Sequence, residues 1–233
     1  MYSNSPVTNK NNLKQKYMGV SFKNSIRKGI FFLLFISAQQ SFSQFYHGIE
    51  FGVNRTNPEF ILNDSYTPTA GIGYYFGYLA ERELDDNLFF RLAVNYNRRQ
   101  FDAVAHRGAY SNNEKWNLDV IEIPLNLGYY LNWNQRKFQF FVDAGVNIGY
   151  NNKVSVTNDI ETIRMDIGSD AEIKRLGMGA NMGIGLLIKK RLKLRFHYYH
   201  GLSNLTTGEG NIWKNKVLGF SLSYFVKDKQ ITY

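Results

Sequence analysis

The sequence predicts an all-β fold, an eight-stranded antiparallel up-and-down transmembrane β-barrel preceded by a cleavable signal peptide. Three observations predict it. Along 118–131, Ile121, Ile123, Leu125, Leu127, Tyr129 and Leu131 share one parity, and Glu122, Pro124, Asn126, Gly128 and Tyr130 share the other. Successive strand side chains point to opposite faces, so this segment has one apolar and one polar side. The same alternation recurs along most of the chain, over segments that reach the roughly 9 to 11 residues a tilted membrane strand needs. The connections between these segments alternate long and short.

The N-terminus comes first. Lys23, Arg27 and Lys28 precede an uncharged run, 29–38, that holds Ile30, Phe31, Phe32, Leu33, Leu34, Phe35 and Ile36; small residues follow at Ser37, Ala38, Ser41 and Ser43. A basic region, a short apolar core and a small-residue zone make a secretory signal peptide. The run falls short of the roughly 20 residues of a membrane-spanning helix. Cleavage is expected after Ser43, so 1–43 is read as extension plus signal and 44–233 as the barrel domain. Met18 is an alternative start that would give an ordinary signal length.

That boundary changes the charge. The whole chain has a formal net charge of +9, but six of its 28 basic residues and none of its 19 acids lie in 1–43. The mature chain therefore carries 22 bases against 19 acids, about +3, and basicity no longer argues for nucleic acid. Cysteine is absent, which excludes a disulfide framework, a thiolate metal site and lipid acylation at the cleavage point. With no later apolar run of helical-span length, membrane entry requires a closed barrel, because lipid leaves no other way to satisfy the backbone.

Eight strands are expected near 46–54, 67–79, 87–101, 117–131, 137–152, 175–189, 192–204 and 216–227. Long polar loops are expected at 55–66, 102–116, 153–174 and 205–215, and short turns at 80–86, 132–136 and 190–191. Short turns belong to the periplasmic side and long loops to the outside, which orients the barrel. Outward Tyr78, Phe90, Tyr129, Phe138 and Tyr224 then fall at the periplasmic rim, and Tyr96, Tyr150 and Tyr198 at the external rim. Two aromatic girdles suit a bilayer.

Between the girdles the outward positions are aliphatic: Leu92, Val94, Leu125, Leu127, Val142, Ala144, Val146, Met182, Ile184 and Leu186. Inward positions hold glycine, asparagine and six charges, Glu50, Arg91, Glu122, Asp143, Lys193 and Arg195. A barrel this narrow is filled by its own side chains, so the six are expected to pair across the lumen as a structural charge network.

The stretches VIEIPLNLGYY at 120–130, DAGVNIGY at 143–150, GMGANMGIG at 177–185 and YYHGLSN at 198–204 resemble the PorT-like small outer-membrane β-barrel family, over most of the mature chain. The resemblance implies an eight-stranded barrel in a Gram-negative outer membrane. One member type is associated with protein secretion and maturation of exported proteases; no residue of this chain marks that role.

Other chemistry is weighed residue by residue. Gly177, Gly179, Gly183 and Gly185 do not open a helix, as a phosphate-binding loop must, and share the inward parity. His197, His200 and Ser203 could suggest a lipid-modifying hydrolase, but on one strand His200 and Ser203 face opposite ways and His197 lies far from Ser203. The four histidines, His47, His106, His197 and His200, form no ligand pair, and the loop acids Asp64, Asp159, Glu161, Asp166, Asp170 and Glu172 lack calcium-loop spacing. No cofactor, metal or catalytic residue is expected. The expectation is a monomeric, non-enzymatic protein of the cell outer membrane, exported by its signal peptide. It would embed in the bilayer without nucleic acid and act through its long external loops, 153–174 foremost, on an envelope or extracellular protein partner or in envelope integrity. Accessory work in secretion or assembly, a lipid-modifying enzyme and a small pore are the alternatives.

Overall fold

The computed structural model describes residues 45–61, 66–107, 110–131, 138–168, 171–208 and 210–227. Met1–Phe45 and Tyr46–Tyr233 are separate units. The expected signal peptide and its cleavage point lie outside the described residues.

The described residues of the second unit form nine strands: β1 Tyr46–Ile61, β2 Tyr66–Glu83, β3 Leu88–Arg107, β4 Tyr110–Leu131, β5 Phe138–Thr157, β6 Thr162–Met165, β7 Leu176–Ile188, β8 Leu192–Gly201 and β9 Ile212–Phe225. Eight of them close a ring in the order β1-β2-β3-β4-β5-β7-β8-β9, antiparallel throughout, with β9 returning to β1. The short β6 lies outside the ring and pairs with the upper end of β5. Closure leaves no sheet edge in lipid, which makes the fold compatible with a bilayer.

Tyr46, Glu81 and Phe225 meet at one end of the ring, beside the turn after β7. There Lys189 and Lys190 take left-handed φ values of 47° and 59°, and the Arg191 N–H donates to the Ile188 carbonyl at 3.1 Å. Turns of this handedness match the twist of the paired strands. By the rule of short inner turns, this is the periplasmic end.

The opposite end departs from expectation. β1 to β5 run 16, 18, 20, 22 and 20 residues, well past the length needed to cross a bilayer. Most of the expected loops 55–66 and 102–116 is strand: β1 continues to Ile61, and β3 and β4 stay paired as far as Arg107 opposite Tyr110. The expected loops 153–174 and 205–215 likewise lose their ends to β5, β6 and β9.

The physical reason is an inversion of the alternation. On β3, Phe90, Leu92 and Val94 face outward while Arg91, Asn95, Asn97 and Arg99 are buried; farther up, Asp102 and His106 face outward while Phe101, Ala103 and Ala105 are buried. On β4, Trp116, Leu118 and Val120 are buried and Ser111, Asn113 and Lys115 exposed. In the lower belt the outer face meets lipid; in the upper crown it meets water, and the apolar side turns inward. Register shifts near this boundary, between Ala70 and Tyr74 on β2 and at Asp119/Val120 opposite β5, re-aim the side chains. On β5 the buried face passes from Asn151 to Val154 and Val156, a change of parity.

Candidate functional site

Among the described residues the lumen concentrates the buried polar chemistry, and it has three levels. At the periplasmic level Leu79, Phe89, Tyr130, Phe141, Leu187 and Phe225 pack together. Lys193 enters this cluster with its Nζ 4.0 Å from the ring centroids of both Phe89 and Phe141, and donates to Glu81 Oε1 at 2.5 Å. Tyr130 OH donates to Glu81 Oε2 at 3.4 Å.

The middle level is ionic. Arg91 Nη2 donates to Glu50 Oε2 at 2.5 Å, and Asn95 and Ser223 donate to the same carboxylate at 3.3 and 2.9 Å. Arg195 grips Asp143 with both Nε and Nη2, at 2.8 and 2.6 Å, and Asn126 donates to Asp143 Oδ1 at 2.6 Å. Arg99 pairs with Glu122, which also accepts from Asn97 at 3.0 Å and Asn147 at 3.1 Å. Each carboxylate thus receives one cation and at least one neutral donor, the condition under which a buried charge can be tolerated. Close strand approach makes room for these side chains: a Cβ at Gly183 would sit 2.6 Å from Arg195 Nε, and one at Gly52 would sit 2.4 Å from the Tyr75 ring. The glycines of 177–185 are therefore packing positions of a strand, on the inner face.

The crown forms the top level. Phe60, Phe101, Trp116 and Trp213 pack as an aromatic cluster, with Phe60 ring centroids 4.9 Å from Trp116, 5.1 Å from Phe101 and 5.5 Å from Trp213. The segment after β6 folds back over it: Ile173 is buried in the same cluster and bridges Ile167 and Thr206, and the Lys174 N–H donates to the Leu205 carbonyl at 2.7 Å. Between crown and base remains a cavity of about 30 Å³ bordered by Tyr75, Arg91, Asn95, Arg99, Glu122 and His197 among others. That is room for about one water molecule.

All six residues expected in the lumen are buried there: Glu50, Arg91, Glu122, Asp143, Lys193 and Arg195. Two of the pairings, Arg91 with Glu50 and Arg195 with Asp143, join members of that set. The other two bring in residues the set lacks, Glu81 for Lys193 and Arg99 for Glu122. Arg99 shares the odd parity of Arg91 on β3, so the signal was present; Glu81 lies two residues beyond the expected end of its strand. The inner face also carries aromatic clusters at both ends, which the expected glycine, asparagine and charge pattern did not include.

The hydrolase candidates go to three different places. The Ser203 hydroxyl accepts from the Met178 N–H at 2.6 Å and donates to the Met178 carbonyl at 3.1 Å; His200 Nδ1 lies 3.4 Å from Tyr198 OH; the His197 ring packs edge-on against Tyr75. Ser203 lies just past β8, not on it. Of the loop acids, Asp64 and Asp170 lie outside the described residues, and no group of three or more His, Asp or Glu positioned for a metal occurs among the described ones.

A closed ring of eight strands, apolar outside its lower belt and plugged by ion pairs within, defines a transmembrane β-barrel. The model of the outer membrane protein beta-barrel domain family matches residues 37–207, most of the chain, and the protein belongs to that family and to the cell outer membrane. Among solved structures it is similar to Neisserial surface protein A, with 14% identity over 78% of this chain and 96% of that one and a TM-score of 0.44. It is similar to OprG from Pseudomonas aeruginosa, with 13% identity over 77% and 95% and a TM-score of 0.44. It is also similar to the outer membrane enzyme PagL, with 10% identity over 75% and 98% and a TM-score of 0.43. At this distance none of them lends its activity to this chain. A comparison with curated proteins finds no match.

Proposed function

We propose that this protein is a monomeric, non-enzymatic barrel that presents its crown as a rigid extracellular platform for surface interaction or envelope integrity. The observation that carries the reading is the braced crown: an aromatic core packs its interior, and the outer rim is the surface assigned to function. At that rim β5 turns into β6 at 158–161, where Asn158 Oδ1 accepts the N–H groups of Ile160 and Glu161 at 2.9 and 2.7 Å. This turn holds Ile160 out to solvent at 88% exposure, as an apolar tip that a partner would cover. Beside it a recess of about 520 Å³ is lined by Thr69, Asp102, Asn113, Lys115, Thr157 and Asp159 among others. A protein partner that buries an exposed apolar tip and hydrogen-bonds to a polar recess fits this arrangement.

Photo-crosslinking from position 113, in the recess beside Ile160, on intact cells tests the reading. A discrete crosslinked band is expected, lost on Ile160→Asp while the variant keeps the heat-dependent gel mobility of a folded barrel. Discrete conductance steps in planar bilayers would instead support a pore, and altered lipid A on overexpression an enzyme; either result would replace the platform reading. A secretion or assembly accessory is the second reading, which co-purification with an envelope complex would favour.

A further inference from the structure

We infer that the lipid-facing surface where β1, β9 and β8 meet, at the extracellular boundary of the bilayer, is a binding site for the phosphate of an outer-leaflet glycolipid. Strand register builds the site. Arg55 stands opposite Leu218, and Leu218 opposite Tyr198; one row higher, Asn57 stands opposite Lys216, and Lys216 opposite His200. All six occupy the outward parity of their strands, and a hollow of about 240 Å³ opens among Arg55, Asn57, Tyr198, Lys216 and Leu218, with Ala70 of β2 at its edge.

Directly below lies an apolar row, Val53 opposite Phe220 opposite Phe196, each about half exposed on the lipid side. The surface therefore changes from acyl-compatible to cationic within one or two residues. That is the level at which the phosphates of a bilayer leaflet sit, and where long basic side chains keep their stems in the apolar layer and their charge in the headgroups. Arg55 offers a planar fork, Lys216 a point charge, and Tyr198 and His200 hydrogen-bonding groups that already touch each other at 3.4 Å. This is the donor set that recognises a phosphate.

Other basic side chains near the external rim are differently placed. Arg98 is held by both oxygens of Asp119, at 2.7 and 2.9 Å. Arg175 donates to Tyr150 OH and to the Ile167 carbonyl. Near the β1–β9–β8 hollow the acid is Glu59, 3.8 Å from Lys216, both about 40% exposed, which leaves an excess of positive charge facing the leaflet. A lipid is assigned because the hollow is continuous with the apolar belt, so a ligand that carries its own acyl chains fills both.

The test uses the full barrel purified in detergent and native mass spectrometry, with phosphorylated lipid A, chemically dephosphorylated lipid A and inorganic phosphate as probes. Wild-type protein is expected to retain one phosphorylated lipid A in preference to the dephosphorylated form. The Arg55→Ala/Lys216→Ala double variant should lose that retention by about tenfold or more, as for removal of charge-assisted hydrogen bonds, and Arg175→Ala should not. Equal retention of the two lipid A forms by wild-type protein would overturn the site without reliance on any variant. Equal retention by wild type and double variant would also overturn it, and displacement by inorganic phosphate at the same concentration would overturn the lipid assignment. Heat-dependent gel mobility checks that each variant is folded. Because the hollow shares no lining residue with the recess beside residue 160, failure here leaves the platform proposal standing.

Discussion

The membrane belt and the crown are built from the same strands but obey opposite rules. In the belt the inner face of β3 carries Arg91, Asn95, Asn97 and Arg99; in the crown the inner face of the same strand carries Phe101, Ala103 and Ala105. Lipid rewards apolar groups on the outside, so the belt places its polar groups in the lumen, where its buried carboxylates are each paired with a cation. Water rewards the reverse, so the crown assembles an ordinary apolar core around Trp213 and Phe60. One sheet thus serves as a membrane protein below and as a soluble protein above.

Three single substitutions and one double variant sharpen that contrast. Asp143→Ala leaves the Arg195 guanidinium buried without its carboxylate, and should destabilise the barrel by about 3 to 5 kcal/mol, read as a lower urea midpoint of the heat-modifiable form. Replacing both partners, Asp143→Leu with Arg195→Met, should recover most of that loss, since an apolar pair leaves no orphaned charge. A single variant as stable as the parent would mean that ion pairs do not hold the belt together. Ile173→Ala opens a void in the crown core and should cost about 3 kcal/mol locally. Proteolysis on intact cells should then nick 158–174 while the belt remains folded, and simultaneous loss of both regions would show them to be one cooperative unit. Asp119→Asn weakens a bidentate pair with Arg98 on the outer face, where the carboxylate is buried and the guanidinium about one third exposed, and should cost about 1 to 2 kcal/mol, read from the same urea midpoint.

The alternation of 118–131 was enough to assign strand, face and barrel, because lipid on one side and a packed lumen on the other leave a one-residue slip nowhere to go. Outward Leu125, Val142 and Ile184, and inward Glu122 and Asp143, follow directly from it. The crown was not legible the same way. Residues 102–116 read as a polar loop because Asp102, His106, Ser111, Asn113 and Lys115 dominate the segment, and polar outward positions signal a strand only once water, not lipid, is known to face them. Phe101, Ala103, Trp116 and Leu118 carried the period-two signal, but in inverted sense. Glu81 was missed for a related reason: its strand was ended at Leu79, before the last inward position.

From sequence alone came the chain's membrane-crossing architecture, the parity of each belt residue and the sign balance of the lumen, since these depend on local periodicity and on which solvent each face meets. Which carboxylate each cation takes, that Lys193 chooses Glu81 and Arg99 chooses Glu122, was decided only by closure of the ring. So was the meeting of Arg55, Lys216 and Tyr198 on one outer surface. β1 and β9 lie at opposite ends of the barrel segment, and their register is set by hydrogen bonds that exist only once the barrel has closed.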